Sequence, residues 1–566
     1  MFKTIKNRKF YPDDFDTLNK DVLNEEINKL LKSEFNSFEE YEEWVYKTDE
    51  FMSIFQESYA RCHAESTCDT ENKEVQERMQ FLNNEIFPML APLGNQIDMK
   101  FLDSPYLNQL DKKDFEIKIR NNKNAIELFR EENIKIDTEL MNLNQEYQKI
   151  MGSLMVDFEG KEYTPQQLNK FLLDNDRDLR KKAFYALRNR FEKENKKISE
   201  LFKKMFDLRV KAANNAGFDN YRDFRFKQLG IFDYTPDDCY GLHQSIKDYV
   251  LPIKKEMDSL RKNKLKLDKL RPWDTQVDID QKDPLKPYDS IKELVDGVAK
   301  AFGDIKPLFG ENFNYLNDNG FFDLDSRKGK APGGYMMPLK ETGAAFIFMN
   351  GANQHDDVIT MLHEGGHAMH FLQSKQLKLK ENQMGPSEIS EVASMSMELL
   401  GIEGLKYFYS GDELQRAKKE NLERMIDLFS PIAKCDAFQH YIYTNPNLSI
   451  DDICDYWESL NEEWNTGVDW RGIEGGTRFG WQWIGHFFFS PFYMLDYAIA
   501  GLGALQVYRN YLENKEKGIE NYFRGLHFGG SRPLPELFDN FGIKFDFSPS
   551  AVKPLIDSLN SEYKKY

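Results

Sequence analysis

Residues 362–370 read LHEGGHAMH and hold three of the chain's nine histidines. His363 and His367 are four positions apart, so on a helix both rings lie on one face and can grip a single cation. Glu364 stands beside the first ring, where its carboxylate can take a proton from a water activated by the ion. This HExxH arrangement is a zinc-hydrolase pattern for those reasons, since neutral imidazoles suit Zn²⁺. Asp356 and Asp357 place acids where a helix begins, and the apolar run VITMLHEGGHAMHFLQ supplies the buried setting such a site needs.

Two ring nitrogens leave a catalytic zinc site one protein ligand short. A metzincin would supply a histidine at position 373 after a glycine at 370, but these positions hold Gln373 and His370. Downstream, PSEISEVASMSMELL (386–400) predicts a second helix starting at Pro386 and Ser387, and it offers Glu388, Glu391 and Glu398. Spacings of three and seven put all three near one face, able to meet the histidine pair across a helix hairpin. One can bind the ion while another hydrogen-bonds a ligand ring.

HEGGHAMH followed one helix later by SEVAS resembles the thimet oligopeptidase and oligoendopeptidase F family of zinc metallopeptidases. The resemblance implies His363, His367 and Glu391 as the zinc ligands, one ion per chain, and Glu364 as general base. Glu388 stands as the fallback third ligand, and Glu398 and Asp357 as residues that steady the ligands. HFFFSPFYMLDYA supplies His486, Tyr493 and Tyr497 at the positions of the family's metal-facing histidine and tyrosines, in the bacterial oligoendopeptidase F-like form. The animal enzymes space these residues differently. The tyrosines, four apart, share a helical face as donors to a developing oxyanion.

The implied fold is mainly α: an ellipsoidal metallopeptidase with a deep central channel between two lobes and zinc at its floor. Such a channel admits short unstructured peptides and excludes folded proteins. The expected activity is therefore internal cleavage of such peptides. Two rivals remain: a metallo-exopeptidase of the dipeptidyl carboxypeptidase type, with Arg478 holding the substrate's terminal carboxylate, and a helical binding protein whose metal site is structural.

The elements that must position these residues follow from periodicity. The first 230 residues read as helices throughout, and from Arg177 to Ala216 a continuous apolar stripe is closed by Gly217. Residues 1–180 are expected to form an N-terminal helical region and 181–566 the catalytic region. Arg271 to Asp289 reads as a long loop. Then GGYMMPLKETGAAFIFMN (333–350) predicts a β-hairpin directly before the histidine cluster, its best strand running from Ala344 to Met349. Phe487 to Val507 is nearly uncharged, but Pro491, Asp496 and its tyrosines make it a buried helix rather than a membrane span.

A formal charge of -18 argues against nucleic acid as a partner. Five cysteines without a CxxC pair fit a reducing compartment, and no apolar run follows the basic start, so the cytoplasm is expected, with no membrane partner. Gly365 and Gly366 each cost about 1 kcal/mol against alanine inside a helix, so something must approach the backbone there. A peptide paired to the free edge of the hairpin strand at Ala345, Phe346 and Ile347 would do so, with Gly366 as part of the substrate site. On that view Gly366→Leu abolishes turnover and leaves zinc content intact.

Overall fold

The computed structural model describes residues 3, 5–327, 329–331 and 333–566. Its N-terminal part is organised around the long helix α1 (Phe38–Cys68), whose Tyr41, Trp44, Phe51, Ile54 and Phe55 are buried in a core of their own. That core draws on residues up to Phe115, with Leu379 added from the distant chain. The following helix, Glu131–Gly152, instead sends Ile136, Leu143 and Tyr147 into the main core.

The helical expectation for the first 230 residues fails at one place. Val156–Phe158 (β1) and Lys161–Tyr163 (β2) pair antiparallel. The turn residues Glu159 and Gly160 have φ of 52° and 76°, the left-handed pair that a tight two-residue hairpin needs. The long stripe after it is two helices, α2 (Arg177–Glu192) and α3 (Asn195–Asn215). Ala183 of α2 packs on the small hairpin core, while Ile198, Leu201, Phe202 and Phe206 of α3 enter the main one. Gly217, at φ 87°, ends α3 as the sequence indicates.

Helix α4 (Pro236–Tyr249) opens with a capping box at Thr235. The loop at 271–289 is closed by Asp274, fully buried and held by Arg177 at 2.7 Å and Arg180 at 3.1 Å. Helix α5 (Ile291–Ile305) then leads to a three-stranded sheet. Its strands are β3 (Phe322–Asp325), β4 (Tyr335–Leu339) and β5 (Ala344–Gly351), in the order β3-β5-β4. The hairpin β4–β5 is the expected one, with Met336 opposite Ile347. The parallel partner β3 is an addition, and it makes β5 the central strand.

The tip of this hairpin is tied to α1. Buried Glu57 accepts the backbone N–H groups of Glu341 at 2.7 Å and Thr342 at 2.8 Å, and the Thr342 hydroxyl at 2.7 Å. Arg61 donates to the same carboxylate at 2.7 Å.

α6 (His355–Ser374) packs on the sheet, α7 (Ser387–Leu400) packs on α6, and α9 (Met494–Glu513) packs on α7 and on α8 (Gly411–Thr444). α7 is packed between α6 and α9, and 12 of its 14 residues are buried. A helix so enclosed exposes almost nothing to water, so its carboxylates must find partners inside. Among the described residues no helix is long and apolar enough to cross a membrane.

Glu57→Ala leaves three donors and an arginine without their acceptor, so it is expected to destabilise the fold by about 3 kcal/mol in urea unfolding. An unchanged midpoint would show that the α1 clamp on the hairpin carries no stability.

Candidate metal centre and active site

Helix α6 is buried on nearly every side. Only Asp356, Thr360, His363 and His367 escape, at steps of four, three and four, which is one narrow strip along the helix. The two rings of the HExxH motif are therefore partly open to solvent, on the one strip of the helix that is.

Glu391 on α7 completes a triad. Its Oε2 lies 3.2 Å from His363 Nε2 and 3.5 Å from His367 Nε2. Burial alone would raise the Glu391 carboxyl, but the imidazoles of His367 and His363 outweigh it and hold it well below the usual carboxylate range. The donor atoms of His363, His367 and Glu391 lie within 4.8 Å of one another. Two imidazole nitrogens and one carboxylate oxygen, partly open to solvent, could hold a metal ion, and that donor set suits zinc with one position left for water.

The glycines explain how the two helices come this close. A Cβ on Gly366 would lie 2.7 Å from Ser394 Cα and 3.1 Å from the Ala393 carbonyl oxygen, both backbone atoms of α7. A Cβ on Gly365 would lie 2.5 Å from the Phe302 ring of α5. The approach predicted from the sequence is real, but what approaches is a helix and a phenyl ring, not a peptide. Gly366 is buried against α7 and does not face a substrate site.

The expected strand edge is corrected too. β5 lies between β4 and β3, which joins it from Ile347 onward, and Ala345, Phe346 and Ile347 are all buried in the core rather than open to a peptide. The outer edge belongs to β4, whose Tyr335 to Pro338 are partly open. Glu364 sits against this strand, hydrogen-bonded to the backbone of Met336. Burial raises the Glu364 carboxyl, with His363 and His367 opposing.

Glu398 backs the His363 ring: His363 Nδ1 lies 2.7 Å from its carboxylate while Nε2 faces Glu391. His367 Nδ1 has no such partner among the described residues. Asp357 has another task. It accepts the Tyr288 hydroxyl at 2.5 Å and the N–H groups of Ala352 and Gln354 at 2.9 and 2.8 Å, fixing the turn from β5 into α6. Glu388, the fallback ligand, lies on another side of α7 with Tyr234 and Asp496, and burial raises its carboxyl. His370 is fully buried and pushed down to about 3 by burial.

The helix expected over 487–507 is broken. His486–Phe489 is a single turn, and α9 starts only at Met494. Between them Phe492 adopts φ 68°, which a non-glycine residue rarely does, and its N–H donates to Gln439 Oε1 of α8 at 2.7 Å. This bend delivers Tyr493, whose hydroxyl donates to Glu391 Oε1 at 2.8 Å. The Tyr497 ring lies 5.4 Å from that of Tyr493, and His486 stacks on Tyr493 at 6.0 Å. Burial, then Glu391, holds both phenols far above their ordinary value, so both remain donors. Burial also lowers His486. Sequence reasoning had no signal for Gln439, because a bend held by a residue more than fifty positions away leaves no local pattern.

Residues 171–553 match Peptidase family M3, and residues 10–129 match the Peptidase M3 N-terminal domain. The chain belongs to peptidase family M3. It is 24% identical over 389 residues to the group B oligopeptidase PepB of Streptococcus agalactiae, a match covering 66% of this chain and 61% of that relative's length. It is 22% identical to an oligoendopeptidase F homolog of Borreliella burgdorferi across 91% of this chain and 89% of that one. Its fold superposes on PZ peptidase A, solved with an inhibitor, at a TM-score of 0.93 and 23% identity over 99% of both chains. The mainly helical metallopeptidase fold implied by the motifs is thus the observed one.

Gly366→Ala forces α7 away from α6 and is expected to cost about 1–3 kcal/mol and to weaken metal binding along with it, read by thermal melting and metal titration. Retained metal affinity would place the helix crossing outside the site's requirements. Glu398→Gln keeps the shape but weakens the brace on His363, for an expected loss of about 10–100-fold in metal affinity. An unchanged affinity would show that His363 needs no such brace.

Proposed function

We propose that the chain is a zinc-dependent endopeptidase cutting internal bonds of short unstructured peptides, with one ion held by His363, His367 and Glu391. The convergence of two imidazole Nε2 atoms on one buried Glu391 carboxylate oxygen, with Glu364 beside them, carries this reading. Zinc bound there supplies a Lewis acid for the scissile carbonyl and for the attacking water.

The chain's own residues do the rest. Glu364 takes a proton from the water and returns it to the leaving amine. Its burial against β4 keeps it out of bulk solvent, where it would be a weaker base. Tyr493 is engaged with Glu391, which leaves Tyr497 as the phenol for the developing oxyanion, and His486 backs both rings. The outer edge of β4 receives the extended substrate by strand addition, in place of β5. The oligopeptidase and oligoendopeptidase names of the relatives support the same substrate class.

Arg478 disfavours the exopeptidase reading. Its guanidinium is taken up by Asp451 at 2.8 Å, Glu458 at 2.9 Å and Asp455, and is not free to bind a terminal carboxylate. The partly open triad, with three ligands rather than four, disfavours a purely structural metal. A cytoplasmic setting is supported by five unpaired, buried cysteines.

An internally quenched peptide blocked at both ends is expected to be cleaved, to survive uncut after chelation, and to be cleaved again when zinc is restored. A blocked peptide left intact while the unblocked one is trimmed would establish an exopeptidase. Glu364→Gln is expected to lower kcat by about 10³-fold or more with metal content unchanged. Near-normal turnover in that variant would remove Glu364 from the role of base.

A further inference from the structure

A second cluster of metal-ligating side chains lies away from the HExxH strip, between α4 and α8, which pack against each other. Cys239 and His243 are four apart on α4, and Asp436 and His440 are four apart on α8. Each helix therefore turns two ligand side chains toward the other. The Cys239 thiol, an Asp436 carboxylate oxygen and a His440 ring nitrogen lie within 4.8 Å of one another. His243 Nε2 is 2.8 Å from Asp436 Oδ2, and His440 Nε2 is 3.1 Å from the same oxygen.

Their burial is more complete than that of the HExxH rings: Asp436 is 0% exposed, Cys239 and His440 1%, and His243 6%. Yet not every polar atom of the cluster is satisfied by a hydrogen bond. Asp436 Oδ1 and both ring nitrogens of His440 have no hydrogen-bond partner among the described residues. His440 Nε2 faces Asp436 Oδ2, and aromatic rings pack around the imidazole, Tyr240 at 4.9 Å and Phe226 at 5.7 Å. His440 Nδ1 and Asp436 Oδ1, buried without a hydrogen-bond partner among the described residues, call for a further partner.

We propose that Cys239, Asp436 and His440 form a second metal site that holds a divalent, borderline-soft cation, zinc foremost, in a structural role, with His243 held against the Asp436 carboxylate beside it. One sulfur, one nitrogen and one oxygen suit zinc, and the burial of all three residues shuts the ion off from substrate, which fits a structural role. The Cys239 thiol, which now donates to the Thr235 carbonyl at 3.3 Å, gives up its proton to solvent on binding. The site has a mechanical consequence for the active site. The His440 ring packs on Phe492 at 5.4 Å, and its neighbour Gln439 holds the Phe492 N–H, so an ion there braces the bend that delivers Tyr493.

This inference is independent of the HExxH centre and is tested in its absence. Full-length protein carrying His363→Ala and His367→Ala is dialysed, its metal content is measured by mass spectrometry, and it is then loaded with cobalt(II). The expected result is one retained equivalent of zinc per chain and, after exchange, a near-ultraviolet thiolate-to-cobalt charge-transfer band, which disappears when Cys239→Ser is added. No retained ion, or a cobalt spectrum without the thiolate band, overturns the proposal and leaves Asp436 paired with His243 and His440 with no metal. Because the first measurement uses the intact second site, it does not depend on whether Cys239→Ser folds.

Discussion

The site depends on how closely α6 can approach α7. Glu391 can share its Oε2 with two imidazoles only because the helix that carries them has no side chain at 366, where a Cβ would meet α7 backbone at 2.7 Å. The helix-weakening cost of two adjacent glycines, about 1 kcal/mol each, is offset by the carboxylate–imidazole contacts that the approach permits. Phe302, filling the space left by Gly365, fixes α6 from the side facing α5. Packing on two faces leaves only one strip of the helix open, and that strip carries His363 and His367.

A second constraint comes from the opposite side of α7. The chain ahead of α9 does not continue as helix but bends at Phe492, a strained left-handed residue kept there by Gln439. The bend brings Tyr493 onto the far oxygen of Glu391, so the carboxylate is gripped on one oxygen by rings from α6 and on the other by a phenol. Glu391 is thereby the meeting point of three elements, and Glu398, seven residues on, extends the same helix face to the back of His363.

The chemistry was the most legible part of the sequence, and the architecture around it was less so. HExxH and the glutamates of 386–400 are short-range patterns whose helical spacing dictates which side chains share a face, and the structure brings His363, His367, Glu391 and Glu398 together as that spacing allows. What the sequence could not show is which neighbour fills a gap. The glycines signalled a close approach but not its source, and a strong strand such as Ala344 to Met349 looks the same whether central or at an edge. β3, four residues long with two aspartates, carries no strand signal of its own and exists because β5 offers it a partner. Asp357 and Glu388 were acids near the motif, but one caps a turn and the other lies beside Asp496, distinctions set by tertiary contacts alone.

The central claim is that two imidazoles of α6 and the Glu391 carboxylate of α7 bind one zinc ion. It is tested most directly by an anomalous-difference map at the zinc edge from crystals of the zinc-loaded protein. We predict a peak within about 2.0–2.2 Å of His363 Nε2, His367 Nε2 and a Glu391 carboxylate oxygen, with a fourth position not filled by protein. No peak there, or a peak that Glu391 does not reach, would contradict the claim.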